Sequence, residues 1–183
     1  MRLQVSAMDN KMILDATCGG RQIWFQKNEP HTLYCDKRRV HYESDYGTNI
    51  SHRTIDVNPD IECNFTNLPF PDNTFNLVVL DPPHLIGGDS SWLKKAFSFY
   101  DSKDAAIKDV SDGIRECMRV LKVGGVLIFK WCELHVSTRE ILDACGIEPL
   151  FGHRSGKKSN THWVTFMKFD DNADLSSRQM TMF

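Results

Sequence analysis

The chain has no apolar run near the roughly 20 residues that a membrane helix needs. Its first residues also lack the apolar stretch of a secretion signal. A cytoplasmic location with no membrane partner is therefore expected. Net charge is nearly absent, with 22 Lys+Arg against 24 Asp+Glu and a formal charge of −2. No global field attracts polyanions, so any nucleic-acid contact must come from a local basic patch. There is no C-x-x-C pair: the six cysteines (18, 35, 63, 117, 132, 145) are scattered, several in apolar stretches, as reduced core thiols would be. Cys132-Glu-Leu-His135 has metal-ligand spacing, but no second pair completes a tetrahedral set, and no metal is expected. Internal repeats and low-complexity tracts are missing too.

What remains is an ordinary globular composition, 41% hydrophobic and 25% charged over 183 residues, enough for one full core. One domain over residues 1–169 is expected, followed by a polar, flexible tail over 170–183. Short apolar runs alternate with helical segments. KMILD (11–15), TLYCD (32–36), IECNF (61–65), NLVVLD (76–81) and VLIFKW (126–131) read as strands. A helix is expected after the turn TCGG, through about Lys27, and residues 37–60 read as polar and irregular. Apolar positions 107, 110, 114, 117/118 and 121 mark one helical face, which Gly124-Gly125 is expected to end. Ser137-Thr-Arg-Glu140 is a capping-box pattern with Gly146 as its stop. PLFG (149–152) and THWVTFMK (161–168) form a final pair without a helix between them, hence an antiparallel hairpin at one edge of a mostly parallel α/β sheet in a three-layer domain.

In such sheets ligands bind beyond the carboxyl ends of the strands. Three runs here end in an acid: Asp15, Asp36 and Asp81. The glycine turn after Asp15 lets a ligand approach the backbone. Asp36 stands where nucleotide-binding folds place the acceptor for a ribose diol. A dinucleotide fingerprint is absent, since T-C-G-G-R-Q-I does not supply G-x-G-x-x-G. A carboxylate before the turn suits an ammonium or sulfonium better than a pyrophosphate. Cys18 has no histidine to pair with and reads as a small neutral filler.

ILDATCGG (13–20), YCDKR (34–38), NLPFPDNTFNLVVLDPPH (67–84) and ECMRVLKVGGVLIF (116–129), taken in order, resemble the motifs of class I S-adenosylmethionine-dependent methyltransferases. The resemblance implies a Rossmann-like fold with a seven-stranded sheet. It also implies S-adenosylmethionine as cofactor, held by Asp15, Ala16, Thr17, Cys18, Gly19, Gly20, Asp36, Asn64, Phe65 and Asp81. Asp81-Pro82-Pro83-His84 is similar to the (D/N)-P-P-(Y/F/W) motif of enzymes that methylate planar amino groups, which makes these four the expected catalytic residues. An exocyclic amine is a poor nucleophile because its lone pair is delocalised. The Asp81 carboxylate and the Pro82 carbonyl can each accept one N–H and draw the nitrogen toward a tetrahedral geometry. The fourth residue stacks on the target, as in sites that hold an extruded base.

Four residues depart from the family pattern. His84 replaces the usual larger ring, Asn64-Phe65 replaces an acid and a small residue, and Arg21 stands where a third glycine often occurs. No target-recognition domain is expected in a chain of this length, so specificity is expected to come from loops or from a partner protein, or to be low. Trp92, Lys94 and Lys95, just after the motif, are candidate lid and substrate residues. Arg154, Lys157 and Lys158 are candidate phosphate contacts. The implied reaction is N-methylation of a nucleobase in DNA or RNA (adenine N6, cytosine N4 or guanine N2). The rivals are a small-molecule or protein-glutamine acceptor, and a non-catalytic binding module that keeps the fold.

Overall fold

The apolar runs that end in Asp become neighbouring parallel strands. The computed structural model describes residues 10–46, 51–87, 98–156 and 159–170. Along the chain lie β1 (Ile13–Asp15), β2 (Thr32–Asp36), β3 (Val40–Tyr46), β4 (Ser51–Val57), β5 (Ile61–Glu62), β6 (Phe75–Leu80), β7 (Leu85–Ile86) and β8 (Phe99–Tyr100). Helix α1 (Lys103–Val120), β9 (Leu121–Cys132), helix α2 (Thr138–Cys145), β10 (Phe151–Arg154) and β11 (Thr161–Met167) follow. Seven strands form one sheet in the order β10-β11-β9-β6-β1-β2-β5. The pairs from β9 through β5 are parallel, while β11 runs antiparallel to both β9 and β10. The expected hairpin is therefore present, with its second strand turned inward against β9. Helices flank the sheet, and the architecture is the Rossmann-like one implied by the motifs.

Alternation along β9 explains the core. Leu127, Phe129 and Trp131 are buried, and with Val164 and Phe166 of β11 they belong to one hydrophobic cluster. The apolar face of α1 (Val110, Ile114, Cys117 and Val120) joins that cluster. Gly113 of α1 has a packing reason: a Cβ there would lie 2.4 Å from Cδ2 of Phe65. Arg119, inside the R-V-L-K motif, donates to the carbonyls of Phe70 and Leu68 at 2.9 and 3.1 Å and so fixes the loop entering β6. The capping box of α2 forms as expected, and Gly146 ends the helix in the left-handed conformation at φ +67°.

Three expectations need correction. Residues 21–28 form successive turns, not a helix. The segment is too short to nucleate alone, and its side chains are claimed elsewhere. Arg21 sits at φ +54° with its guanidinium 3.8 Å over the Tyr34 ring, and Trp24 reaches to Asp15. Residues 40–46 and 51–57 are not irregular; they pair as the antiparallel strands β3 and β4, with Val40 opposite Val57 and Tyr42 opposite Ile55. Gly124-Gly125 does not terminate the helix, since α1 stops at Val120 and β9 starts at Leu121. The two glycines instead lie in a bulge, where pairing jumps from Phe75–Leu121 to Leu77–Val126. Gly124 takes φ +79°, and a Cβ on Gly125 would lie 2.8 Å from the Lys122 carbonyl.

Candidate active site

Strand order reverses between β1 and β6: one branch runs from β1 to β2 and β5, the other from β6 to β9. Such a reversal opens a crevice beyond the strand ends, where α/β sheets bind their ligands. Here it is a cleft of about 630 Å³, and Asp15, Asp36 and Asp81 all line it. Three separate strand ends thus deliver three carboxylates to one cavity.

Each acid is held differently. Asp15 is almost completely buried. Its Oδ1 accepts from the Thr17 amide at 3.1 Å and its Oδ2 from Trp24 Nε1 at 2.7 Å. Burial pushes its pKa up from the ordinary 3.8 to about 7; the two hydrogen bonds oppose the shift, and repulsion from Asp81 and Asp36 adds to it. Asp36 accepts from the Gly19 amide at 3.1 Å through Oδ2, and from the Arg38 amide at 3.0 Å through Oδ1. That bond ties the glycine turn to the end of β2. Asp81 has its amide on Thr17 Oγ1 at 2.7 Å, so one threonine joins the ends of β1 and β6. Its Oδ2 lies 2.6 Å from Lys130 Nζ, while no described residue bonds Oδ1.

Pro82, Pro83 and His84 continue the wall begun by Asp81. His84 is half-buried and meets Trp131 edge-to-face, with ring centroids 6.4 Å apart. Burial holds its pKa below the ordinary 6.5, so the ring is neutral at pH 7. Cys18 also lines the cleft, its thiol pushed up to about 12 by burial and the nearby acids, as befits an unreactive filler.

The structure gathers Asp15, Thr17, Cys18, Gly19, Gly20, Asp36, Phe65 and the Asp81–His84 run around one cavity. Ala16 and Asn64 are not in its lining. Ala16 is buried with its amide on the Val79 carbonyl, and the Asn64 side chain caps the Thr66 amide at 3.1 Å. Arg154 stands away from the cleft on β10, 3.9 Å from Glu133. Trp92, Lys94, Lys95, Lys157 and Lys158 lie outside the described residues, as does the tail beyond 170.

Three contributors were missed from sequence. Trp24 clamps Asp15, Lys130 pairs with Asp81, and residues 54–58 at the end of β4 form a cleft wall, with the Asp56 carbonyl against Gly20. Lys130 did leave a signal: it interrupts VLIFKW on the face opposite Phe129 and Trp131. The alternation of Val40 with Tyr42 and of Ile55 with Val57 likewise marked the β3–β4 pair.

No family model and no curated protein sequence matches the chain. Solved structures do. A protein of Pyrococcus horikoshii superposes at TM-score 0.54 with 12% identity, covering 85% of this chain and 81% of its own. An rRNA methylase from Streptococcus thermophilus superposes at 0.52 with 11% identity, covering 88% and 89%. A [4+2]-cyclase superposes at 0.50 with 12% identity, covering 86% and 75%. A methylase and a cyclase on one scaffold mean that activity must be argued from the site. The chain has the fold of these proteins, the class I methyltransferase fold.

Proposed function

We propose that the chain is a methyltransferase that uses S-adenosylmethionine to methylate a planar amino nitrogen of a nucleobase. The observation that carries this reading is the union of the glycine turn, Asp36 and Asp81-Pro-Pro-His84 in one cleft at the strand-order reversal. The residues present suit the cofactor. Asp15, Asp36 and Asp81 offer acceptors for an ammonium and for ribose hydroxyls in a cleft that Arg21, Lys27, Lys37, Arg38 and Lys130 also line, and the space above the turn is open, since a Cβ on Gly19 would meet no atom within 4 Å. Asp15 and the turn would hold the amino-acid end, Asp36 the ribose hydroxyls and Phe65 the adenine. When bound, the cofactor supplies an electrophilic methyl group on a sulfonium.

The chain's own work is to make an amine nucleophilic. The Asp81 carboxylate and the Pro82 carbonyl accept its two N–H groups, and the paired prolines fix the direction of that carbonyl. Charge-assisted hydrogen bonds are worth about 1.5–3 kcal/mol. They speed transfer only as far as they strengthen when the nitrogen becomes cationic. Neutral His84 gives the target an apolar face without adding a competing charge.

Calorimetry should detect binding of S-adenosylmethionine, and labelled methyl should appear in DNA or RNA. Label in protein alone would transfer the reading to a glutamine side chain. Absence of cofactor binding would leave only a binding module.

Asp15 makes binding pH-dependent. A cationic ligand favours the carboxylate, so below about pH 7 binding must expel a proton. Affinity should rise with pH and level off above about 7. Calorimetry at pH 6 in two buffers of different ionisation enthalpy should report the released proton, and Asp15→Asn should abolish that difference. Folding responds in the opposite sense. The folded pKa lies above the ordinary 3.8, so Asp15 contributes a loss of stability that accumulates between about pH 4 and 7.

A further inference from the structure

Lys130 occupies a position that methyl transfer to a lone amine does not require. It lies near the carboxyl end of β9 and lines the cleft with Asp81. Its Nζ is 2.6 Å from Asp81 Oδ2 and 5.9 Å from the centre of the Trp163 ring, its partner across the β9–β11 ladder. A carboxylate below and an indole behind hold the ammonium in place. An ammonium has three donors, and Asp81 takes the one bond that Lys130 makes among the described residues. The remaining donors are available to the cavity, directly beside the acceptor oxygens of Asp81.

An acceptor and a donor side by side are the complement of an amidine edge, in which an N–H₂ group adjoins an unprotonated ring nitrogen. Adenine (N6 with N1) and cytosine (N4 with N3) present such edges, and sites that hold an extruded base read it along its Watson–Crick side. Resting on the function proposed above, we infer that Lys130 is a specificity-determining residue. It donates to the ring nitrogen next to the target amine while Asp81 accepts from the amine itself. The pair then rejects amines that lack a neighbouring acceptor, because the Lys130 donor would lose a charge-assisted bond. It also sets the orientation of the base in a chain whose described residues include no separate recognition domain.

Deaza bases test this directly, because they keep the amine and replace only the ring nitrogen by C–H. The probes are oligonucleotides carrying adenine or 1-deazaadenine, and cytosine or 3-deazacytosine. Both kcat/KM and affinity in the presence of S-adenosylhomocysteine are measured. The wild type should favour whichever parent base it methylates over its deaza form by roughly 10- to 100-fold. In Lys130→Met that preference should fall to within about threefold. The comparison is made within each protein, so a general loss from unpairing Asp81 cancels. Lys130→Gln serves as a second variant if the first fails to fold. A wild type that treats parent and deaza bases alike overturns the assignment while leaving the methyltransferase reading intact. A preference that persists in both variants does the same. No transfer to adenine or cytosine overturns the assignment, and absence of labelled methyl from whole DNA and RNA as well overturns the nucleobase reading with it.

Discussion

Asp81→Asn is expected to lower methyl transfer about a hundredfold and to leave S-adenosylmethionine affinity within a few-fold. One charge-assisted hydrogen bond of up to about 3 kcal/mol sets that scale. Lys130 explains why the isosteric amide should fare so badly. Asparagine offers one oxygen and one NH₂ where aspartate offers two acceptors. The ammonium, 2.6 Å from the carboxylate in the native protein, claims that oxygen and leaves the NH₂ facing the amine that should be bound. The Asp81 amide stays on Thr17 Oγ1, so the glycine turn and the cofactor end of the cleft keep their geometry. Single-turnover transfer beside calorimetric affinity separates the two effects. A parallel collapse of cofactor affinity would place Asp81 on the cofactor's side of the cavity and remove it from amine activation.

The part of this site that could be read from the chain is the part written locally. Asp15, Asp36 and Asp81 each follow an apolar run, and parallel pairing with strand-end binding is enough to bring three such acids together. The prolines after Asp81 announce a strand end for equally local reasons. Trp24, Lys130 and the β4 wall belong to a different kind of information. Trp24 acts on Asp15 only because residues 21–28 decline a helix, and that choice depends on Tyr34 and Asn58, which are distant in sequence. Lys130 meets Asp81 only because β9 lies beside β6 in the sheet. Gly124-Gly125 shows the same limit. A glycine pair after a helical stretch reads as a stop, whereas the backbone crowding that requires Gly125 comes partly from Asn76 on the neighbouring strand. Asn64 marks the boundary case: its position in the motif order is legible, but its side chain turns to the Thr66 amide.

Trp131→Ala is expected to cost about 3–5 kcal/mol of stability, because the indole is among the largest fully buried side chains and truncation leaves a cavity in its place. Against a usual total of about 5–15 kcal/mol, that is a large share. It corresponds to a fall in melting temperature on the order of 10 °C for a domain of this size. Two further losses accompany the cavity. The indole Nε1 donates at 2.9 Å to the carbonyl of Val136, the residue before the Ser137 cap of α2. The ring also stacks on Phe129 and meets His84 edge-to-face. Trp131→Phe separates these contributions. It keeps most of the apolar volume but strands a buried carbonyl, so its cost should be nearer 1–3 kcal/mol. Denaturant melts with equal m-values for the three proteins would license the comparison. Well below its melting temperature, the Ala variant should still bind S-adenosylmethionine, since Trp131 is not in the cleft lining, yet transfer should be slowed because His84 has lost the wall that orients it. Transfer at the native rate in a folded Trp131→Ala protein would mean that His84 does not need that wall, and that Pro82 and Pro83 alone set its position.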